Sequence, residues 1–339
     1  MKAIVYHRYG PPNVVALAEV PKPTPKDSEV LIRIHATTVT TGDWRARSLH
    51  LPGGFGFMGR PVFGVFGPQQ PILGTELAGV VETVGKAVKG FKVGDEVFAF
   101  PGASYGSHAE YRAMADDGLI AIKPANLSFE EAAALSFGGT TALKFLRDKA
   151  GIKQDDKVLI VGASGGVGTA AVQIARHFGA EITGVCSTAN IELVRSIGAN
   201  KVIDYTKEDF AKRGETYDII LDTTGTVPFA RCELALKPGG RLVVAQGTLA
   251  QALGIGRPSK ASGKKVIAGV VAPRVEDLQF LAKLAEAGEF KPVIDRSYPL
   301  EHAAEAHAYV DKGRKRGNVV MTVRDAVSDR VAAQRSPSS

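Results

Sequence analysis

Cysteine is nearly absent: 339 residues include only Cys186 and Cys232, each inside an apolar stretch. That excludes a disulfide framework and a cysteine-rich zinc site, and leaves two small buried hydrophobes as the expectation. Long apolar runs are missing too. No stretch approaches the roughly 20 residues that span a bilayer, and Met1-Lys2-Ala3-Ile4-Val5-Tyr6 turns polar too soon for a signal peptide. A cytoplasmic chain without membrane insertion is the expectation. Nucleic-acid motifs are equally lacking. The net charge is +7, but the basic residues are scattered, with a group near the end from Lys312 to Arg335. No basic helix, zinc finger or aromatic RNA-binding motif accompanies them. The charge suits an anionic cofactor, and no nucleic-acid partner is expected. Residues 326–339 have little apolar content, end Ser-Pro-Ser-Ser and read as a flexible tail.

What is present is material for two domains: 45% hydrophobic residues, 23% charged, and length enough for two cores. Residues 1–123 carry short alternating strands broken by glycine and proline. Glu29-Val30-Leu31-Ile32-Arg33-Ile34-His35-Ala36 has the period-two pattern of a half-buried strand. These strands predict a curled antiparallel sheet or partial β-barrel. From 124 the pattern alternates strand with helix. Wholly apolar strands are expected at 158–161, 182–186, 202–204, 218–222, 241–245 and 266–271, as in an α/β fold with a doubly wound parallel sheet. A last strand at 318–323 is expected to return to the first sheet. The predicted domains are therefore 1–123 with 299–325, and 124–298.

The strongest chemical signal is Val161-Gly162-Ala163-Ser164-Gly165-Gly166-Val167-Gly168, between an apolar strand and an amphipathic helix. Glycine permits the tight turn and lets the backbone approach a pyrophosphate, while the helix start offers free N–H groups and a positive dipole end. A dinucleotide is the expected cofactor. NAD sites usually carry an acid at the end of the second strand. Here that strand runs into Ser187-Thr188-Ala189-Asn190, and no acid appears until Glu192. Small hydroxylated residues leave room for a 2′-phosphate, so NADPH is favoured.

Ala163-Ser164-Gly165-Gly166-Val167-Gly168, followed by Gln173 and Arg176, resembles the signature of zeta-crystallin-type quinone oxidoreductases, the zinc-lacking branch of the medium-chain dehydrogenase/reductase superfamily. Gly74-Thr75-Glu76-Leu77-Ala78-Gly79 is similar to that superfamily's first domain. The resemblance covers residues 1–323. It implies a GroES-like first domain, a Rossmann second domain, a substrate cleft between them and a homodimer. It also implies cofactor positions: Ser164, Gly165, Gly166 and Val167 at the pyrophosphate, Ser187 and Tyr205 near the 2′-phosphate, Thr141, Val270 and Val271 beside the nicotinamide.

The chain departs from the family pattern in places. Thr40 stands for the usual Asn three residues before Asp43. Asn190 replaces a basic residue near the 2′-phosphate. Asn318 replaces the usual lysine before the final strand, with Arg314 and Arg316 as possible substitutes. Thr75 replaces the zinc-ligating His of zinc alcohol dehydrogenases, and no cysteine precedes Cys186, so no zinc is expected. Without a metal to acidify an alcohol, a substrate that is already electrophilic is favoured. The expected reaction is hydride transfer from NADPH to a small hydrophobic quinone or α,β-unsaturated carbonyl. The rivals are a zinc-independent aldehyde or ketone dehydrogenase and a non-catalytic NADP(H)-binding protein. Asp43 is the candidate catalytic residue, with a hydrogen-bonding role for its carboxylate as the alternative. Tyr105 and His108 are further candidates. Leu51 to Pro71, with Phe55, Phe57, Phe63 and Phe66, reads as a lid over the cleft.

Overall fold

A computed structural model describes residues 1–249 and 262–323; the predicted tail at 326–339 lies outside the described residues. The first domain opens with a small ribbon, β1 (Lys2–Val5) against β2 (Ala16–Glu19). Its main sheet contains β3 (Glu29–Thr38), β4 (Leu77–Val84), β5 (Glu96–Ala99), β6 (Tyr111–Ala115) and β7 (Ile120–Ile122). Helix α1 (Thr41–Ser48) follows β3, and the short α2 (Gly59–Phe63) lies in the long connection to β4. The sheet curls because β3 is bonded to three neighbours along its ten residues: β4, β6 and the late strand β15 (Asn318–Thr322). Val30, Ile32, Ile34, Leu77, Val81, Val97 and Ile120 fill its interior. This is the expected partial barrel.

The second domain begins with helices α3 (Phe129–Ala133) and α4 (Ser136–Leu143). Its strands are β8 (Lys157–Val161), β9 (Glu181–Cys186), β10 (Lys201–Asp204), β11 (Tyr217–Asp222), β12 (Leu236–Val244) and β13 (Lys265–Ala268). All are parallel, in the order β10-β9-β8-β11-β12-β13. That reversal of direction beside β8 makes a crevice at the carboxyl ends of the strands, where doubly wound sheets bind ligands. Both faces are covered. Val158, Ile160, Ile219 and Leu221 pack on one side, Leu159, Val161, Ile220 and Leu242 on the other. Each such side chain stabilises the fold by roughly 1.5–3 kcal/mol, which is why these strands read as apolar runs. Helix α5 (Gly166–His177) follows β8 directly.

Two expectations need correction. The chain rejoins the first sheet earlier than 299: β14 (Ile294–Pro299) already pairs with β15, in parallel. The polar residues Asp295, Arg296 and Ser297 hid this edge strand, whose side chains are largely exposed. The strand predicted to reach 271 ends at Ala268, because Gly269 adopts φ +133°, a backbone that β-branched side chains do not take.

Candidate active site

The glycine-rich turn lies where β8 passes into α5. Gly162 has φ +78°, and a Cβ on Gly168 would overlap the Gly162 carbonyl. A side chain on Gly138 of α4 would come within 2.7 Å of the Gly166 carbonyl, so α4 and α5 also meet glycine to glycine. Gly165 is the N-cap of α5, with no side chain to satisfy the first free N–H groups. The turn is a backbone cradle that suits a pyrophosphate.

The returning segment before β15 rests on this cradle. Gly317 N–H donates to the Ser164 carbonyl at 2.8 Å. Lys315, which the sequence reading overlooked between Arg314 and Arg316, turns inward. Its Nζ donates to the Gly317 carbonyl at 2.5 Å and lies 3.1 Å from where a Gly166 Cβ would be. Loss of hydration lowers the Lys315 ammonium to about 8, against the raising effect of Glu76 and Asp295. Arg314 and Arg316 stay exposed.

At the adenosine end, Asn190 Nδ2 donates to Ser164 Oγ at 3.1 Å and to Ser187 Oγ at 3.2 Å, tying the turn to the end of β9. Asp204, at the end of β10, accepts hydrogen bonds from Thr188 and Thr206. Tyr205 follows it and is 61% exposed. Thr141, on α4, donates its hydroxyl to the Phe137 carbonyl. Val270 is exposed just beyond β13, while Val271 packs against the domain core and Val167 does likewise from α5.

The facing wall comes from the first domain. Asp43 closes a capping box at the start of α1: its Oδ2 accepts from Thr40 N–H and the Thr40 hydroxyl, its Oδ1 from Gly74 N–H at 2.8 Å. Asp43 is fully buried and both oxygens are engaged. Thr40 is thus the N-cap of α1. Tyr105 is buried in the first-domain core, and His108 bonds the Thr38 carbonyl through Nε2. Burial lowers the His108 pKa and raises that of Tyr105, so neither is disposed to ionise.

Glu76 also crosses between domains. Its Oε1 accepts from the Thr38 hydroxyl and its Oε2 from Phe137 N–H, at the start of α4. Complete burial pushes its carboxyl up to about 7, against those two bonds and the Lys315 charge. The residue that sequence reading missed on this wall is Arg45, two places after Asp43. Its Nη2 spans the cleft to Gln246 Oε1 at 2.6 Å, and Gln246 in turn bonds the Thr223 carbonyl at the carboxyl edge of the sheet. The buried Arg45 Nε has no hydrogen-bond partner among the described residues. Desolvation lowers its pKa.

Residues 26–124 match the alcohol dehydrogenase GroES-like domain model, and residues 197–321 the zinc-binding dehydrogenase model. Human quinone oxidoreductase is 33% identical over 92% of this chain and 94% of its own length. The Arabidopsis thaliana NADPH-dependent alkenal/one oxidoreductase is 33% identical over 95% of this chain and 79% of its own. The quinone oxidoreductase structure from Coxiella burnetii superposes with a TM-score of 0.84 at 30% identity, covering 96% and 99% of the two chains. The chain belongs to the quinone oxidoreductase branch of the medium-chain dehydrogenase/reductase superfamily. It is an oxidoreductase with a GroES-like domain, a Rossmann domain and a nicotinamide cofactor.

The zinc in one model's description finds a poor donor set here. Among the described residues no three His, Cys, Asp or Glu side chains converge. Thr75 occupies the position of the zinc-ligating His, and both oxygens of Glu76 are engaged.

Proposed function

We propose that this oxidoreductase reduces quinones or α,β-unsaturated carbonyls with NADPH, without zinc. The observation that carries the reading is the pairing of the two walls: a glycine cradle with Lys315 at the start of α5, and opposite it Arg45, which has an unpartnered Nε. The cofactor, when bound, supplies the hydride. Ser164, Gly165, Gly166 and Val167 would meet its pyrophosphate at the start of α5, where the first N–H groups of the helix have no side-chain cap, with Lys315 adding charge. Ser187 and Tyr205 would border the 2′-phosphate, Thr141 and the Val270-Val271 backbone the nicotinamide. Asp204 is turned toward Thr188 and Thr206, which favours NADPH over NADH.

Arg45 takes over what a metal would do. Hydride addition to a conjugated carbonyl places negative charge on its oxygen, and a guanidinium N–H in a desolvated cleft stabilises that charge as it develops. Arg45 does not titrate in the physiological range, so the proton that completes the reduction comes from water. Asp43 acts as a positioning residue: its capping box fixes the start of α1 and thereby the direction of Arg45. Among the described residues β13 is an edge strand, the side through which a homodimer would form. Among the described residues no helix is long and apolar enough to cross a membrane.

Oxidation of NADPH followed at 340 nm, with NADH controls, tests the reading against quinones, enones and saturated aldehydes. Turnover of quinones or enones is expected. Turnover confined to saturated aldehydes would replace it with the dehydrogenase reading, and tight NADPH binding without turnover with the non-catalytic one.

A further inference from the structure

The connection between α1 and β4 is apolar on both of its sides. On the inner side Phe63 packs against the first-domain core, and Gly59 lies against the Leu49 and Leu51 side chains. On the outer side Phe57 is 72% exposed, Phe66 is fully exposed, and Met58, Val62 and Val65 are exposed with them. Met58 and Val62 stand four residues apart in one helical run, and so share a face. The tip is held in place: Tyr9 donates to the Gly64 carbonyl at 2.9 Å, Arg60 to the Val65 carbonyl at 2.7 Å, and Gln69 N–H to the Phe63 carbonyl. The expected lid is thus only half present, because Phe57 and Phe66 face solvent. Five large exposed apolar side chains within ten residues mark a contact surface.

Charge says which kind. Between Asp43 and Glu76 there is no acidic residue, and of the three arginines there Arg60 is exposed at the tip, whereas Arg47 is buried against Asp311 and Arg45 lies in the cleft. The first 18 residues also lack an acid and contribute exposed His7 and Arg8, with the His7 carbonyl lying against Gly67. The whole chain is +7. A tip with aromatic and aliphatic ends, with exposed Arg60 on it, Arg8 in the adjoining N-terminal segment and no acid in either segment of sequence, matches the boundary of an anionic bilayer, where rings sit among the headgroups and arginines meet the phosphates.

We infer that Phe57, Met58, Val62, Val65 and Phe66 dock this protein peripherally on anionic lipid surfaces, without spanning them. The base of the tip adjoins the cleft, since the Gly53 carbonyl accepts from Leu249 N–H, three residues beyond Gln246. On the proposed function, docking would bring the cleft to apolar quinones and enals where they partition.

Flotation of the full chain with vesicles tests this, using phosphatidylcholine alone and phosphatidylcholine with about 30% phosphatidylglycerol. The chain is expected to float with the anionic vesicles and much less with the neutral ones. Phe57→Ser with Phe66→Ser should cut partitioning at least about tenfold, and Arg60→Gln by a smaller factor. NADPH-dependent turnover of a water-soluble quinone should be unchanged in the double variant. Failure of the parent chain to float, or equal flotation of the double variant, overturns the inference. So does light scattering that shows the parent self-associating and the double variant not, since a second copy would then cover the patch. Absence of turnover in both proteins would count against the reductase reading and leave the lipid result standing.

Discussion

The two walls of the cleft are made of different material. On the proposed nucleotide side the groups offered are backbone N–H groups at the start of α5, in a turn where Gly162 and Gly168 leave no room for a side chain. On the barrel side they are side chains, and most of them, Thr40, Asp43, Glu76 and His108, are fastened to one another or to nearby backbone. A backbone site tolerates almost no added volume. A side-chain site tolerates substitution of shape but not loss of one charged tip. Each of the following experiments probes one wall against the other.

The largest effect should come from Gly168→Ala. The added methyl overlaps the Gly162 carbonyl and presses on the Ala163 Cα, so the turn and α5 must separate. NADPH affinity, read by fluorescence titration, should fall by at least about 100-fold, with a loss of stability of roughly 1–3 kcal/mol. Unchanged affinity would mean that the cradle is not what holds the cofactor.

This difference in material also decides what could be read in advance. The cradle was legible because glycine spacing is written in the chain, and so were the six parallel strands, because burial on both faces leaves continuous apolar runs. The barrel wall was not. Whether Asp43 faces the cleft or caps its own helix depends on side-chain direction, which spacing does not encode. Arg45 was missed for the same reason, and its partner Gln246 lies 201 positions away. Lys315 was overlooked between two arginines; which of the three turns inward is set by the loop between Gly313 and Gly317, both at positive φ. Strand β14 was hidden because an exposed edge strand needs no apolar pattern.

On the barrel wall, Glu76→Gln should show the second largest effect, and it should depend on pH. The folded chain holds the Glu76 carboxyl near 7, above the ordinary value of 4.5. Between those values the folded state keeps a proton that the unfolded state has lost. Glu76 therefore costs stability as pH rises from about 4.5 toward 7, up to roughly 3 kcal/mol. Glutamine does not titrate, and its carbonyl can still accept from Phe137. Urea unfolding at pH 5 and pH 8 should show the variant gaining on the parent at the higher pH. A constant difference would show that Lys315 fully offsets the burial.

Arg45→Ala should lower kcat/KM for an enone or quinone about 100-fold, or about 2.7 kcal/mol. NADPH affinity should stay the same, because Arg45 belongs to the other wall. Arg45→Lys should recover part of the rate, keeping the charge but losing the planar fork. Equal losses in rate and cofactor affinity would erase the distinction between the walls.

The smallest effect falls on Lys315, a charged side chain placed against the backbone wall. Its ammonium lies at the start of α5, where helix dipole and free N–H groups already favour an anion, so it adds to a site that exists without it. Lys315→Gln should weaken NADPH binding about tenfold at pH 7, or about 1.4 kcal/mol, while Arg314→Gln and Arg316→Gln change it less than about twofold. The ammonium is held near 8, so it is charged below that pH and neutral above. Parent affinity should therefore decline as pH rises through about 8, and the affinity of Lys315→Gln should stay level. The reverse result, a level parent and a large effect at Arg314 or Arg316, would return the cation of this site to the exposed arginines.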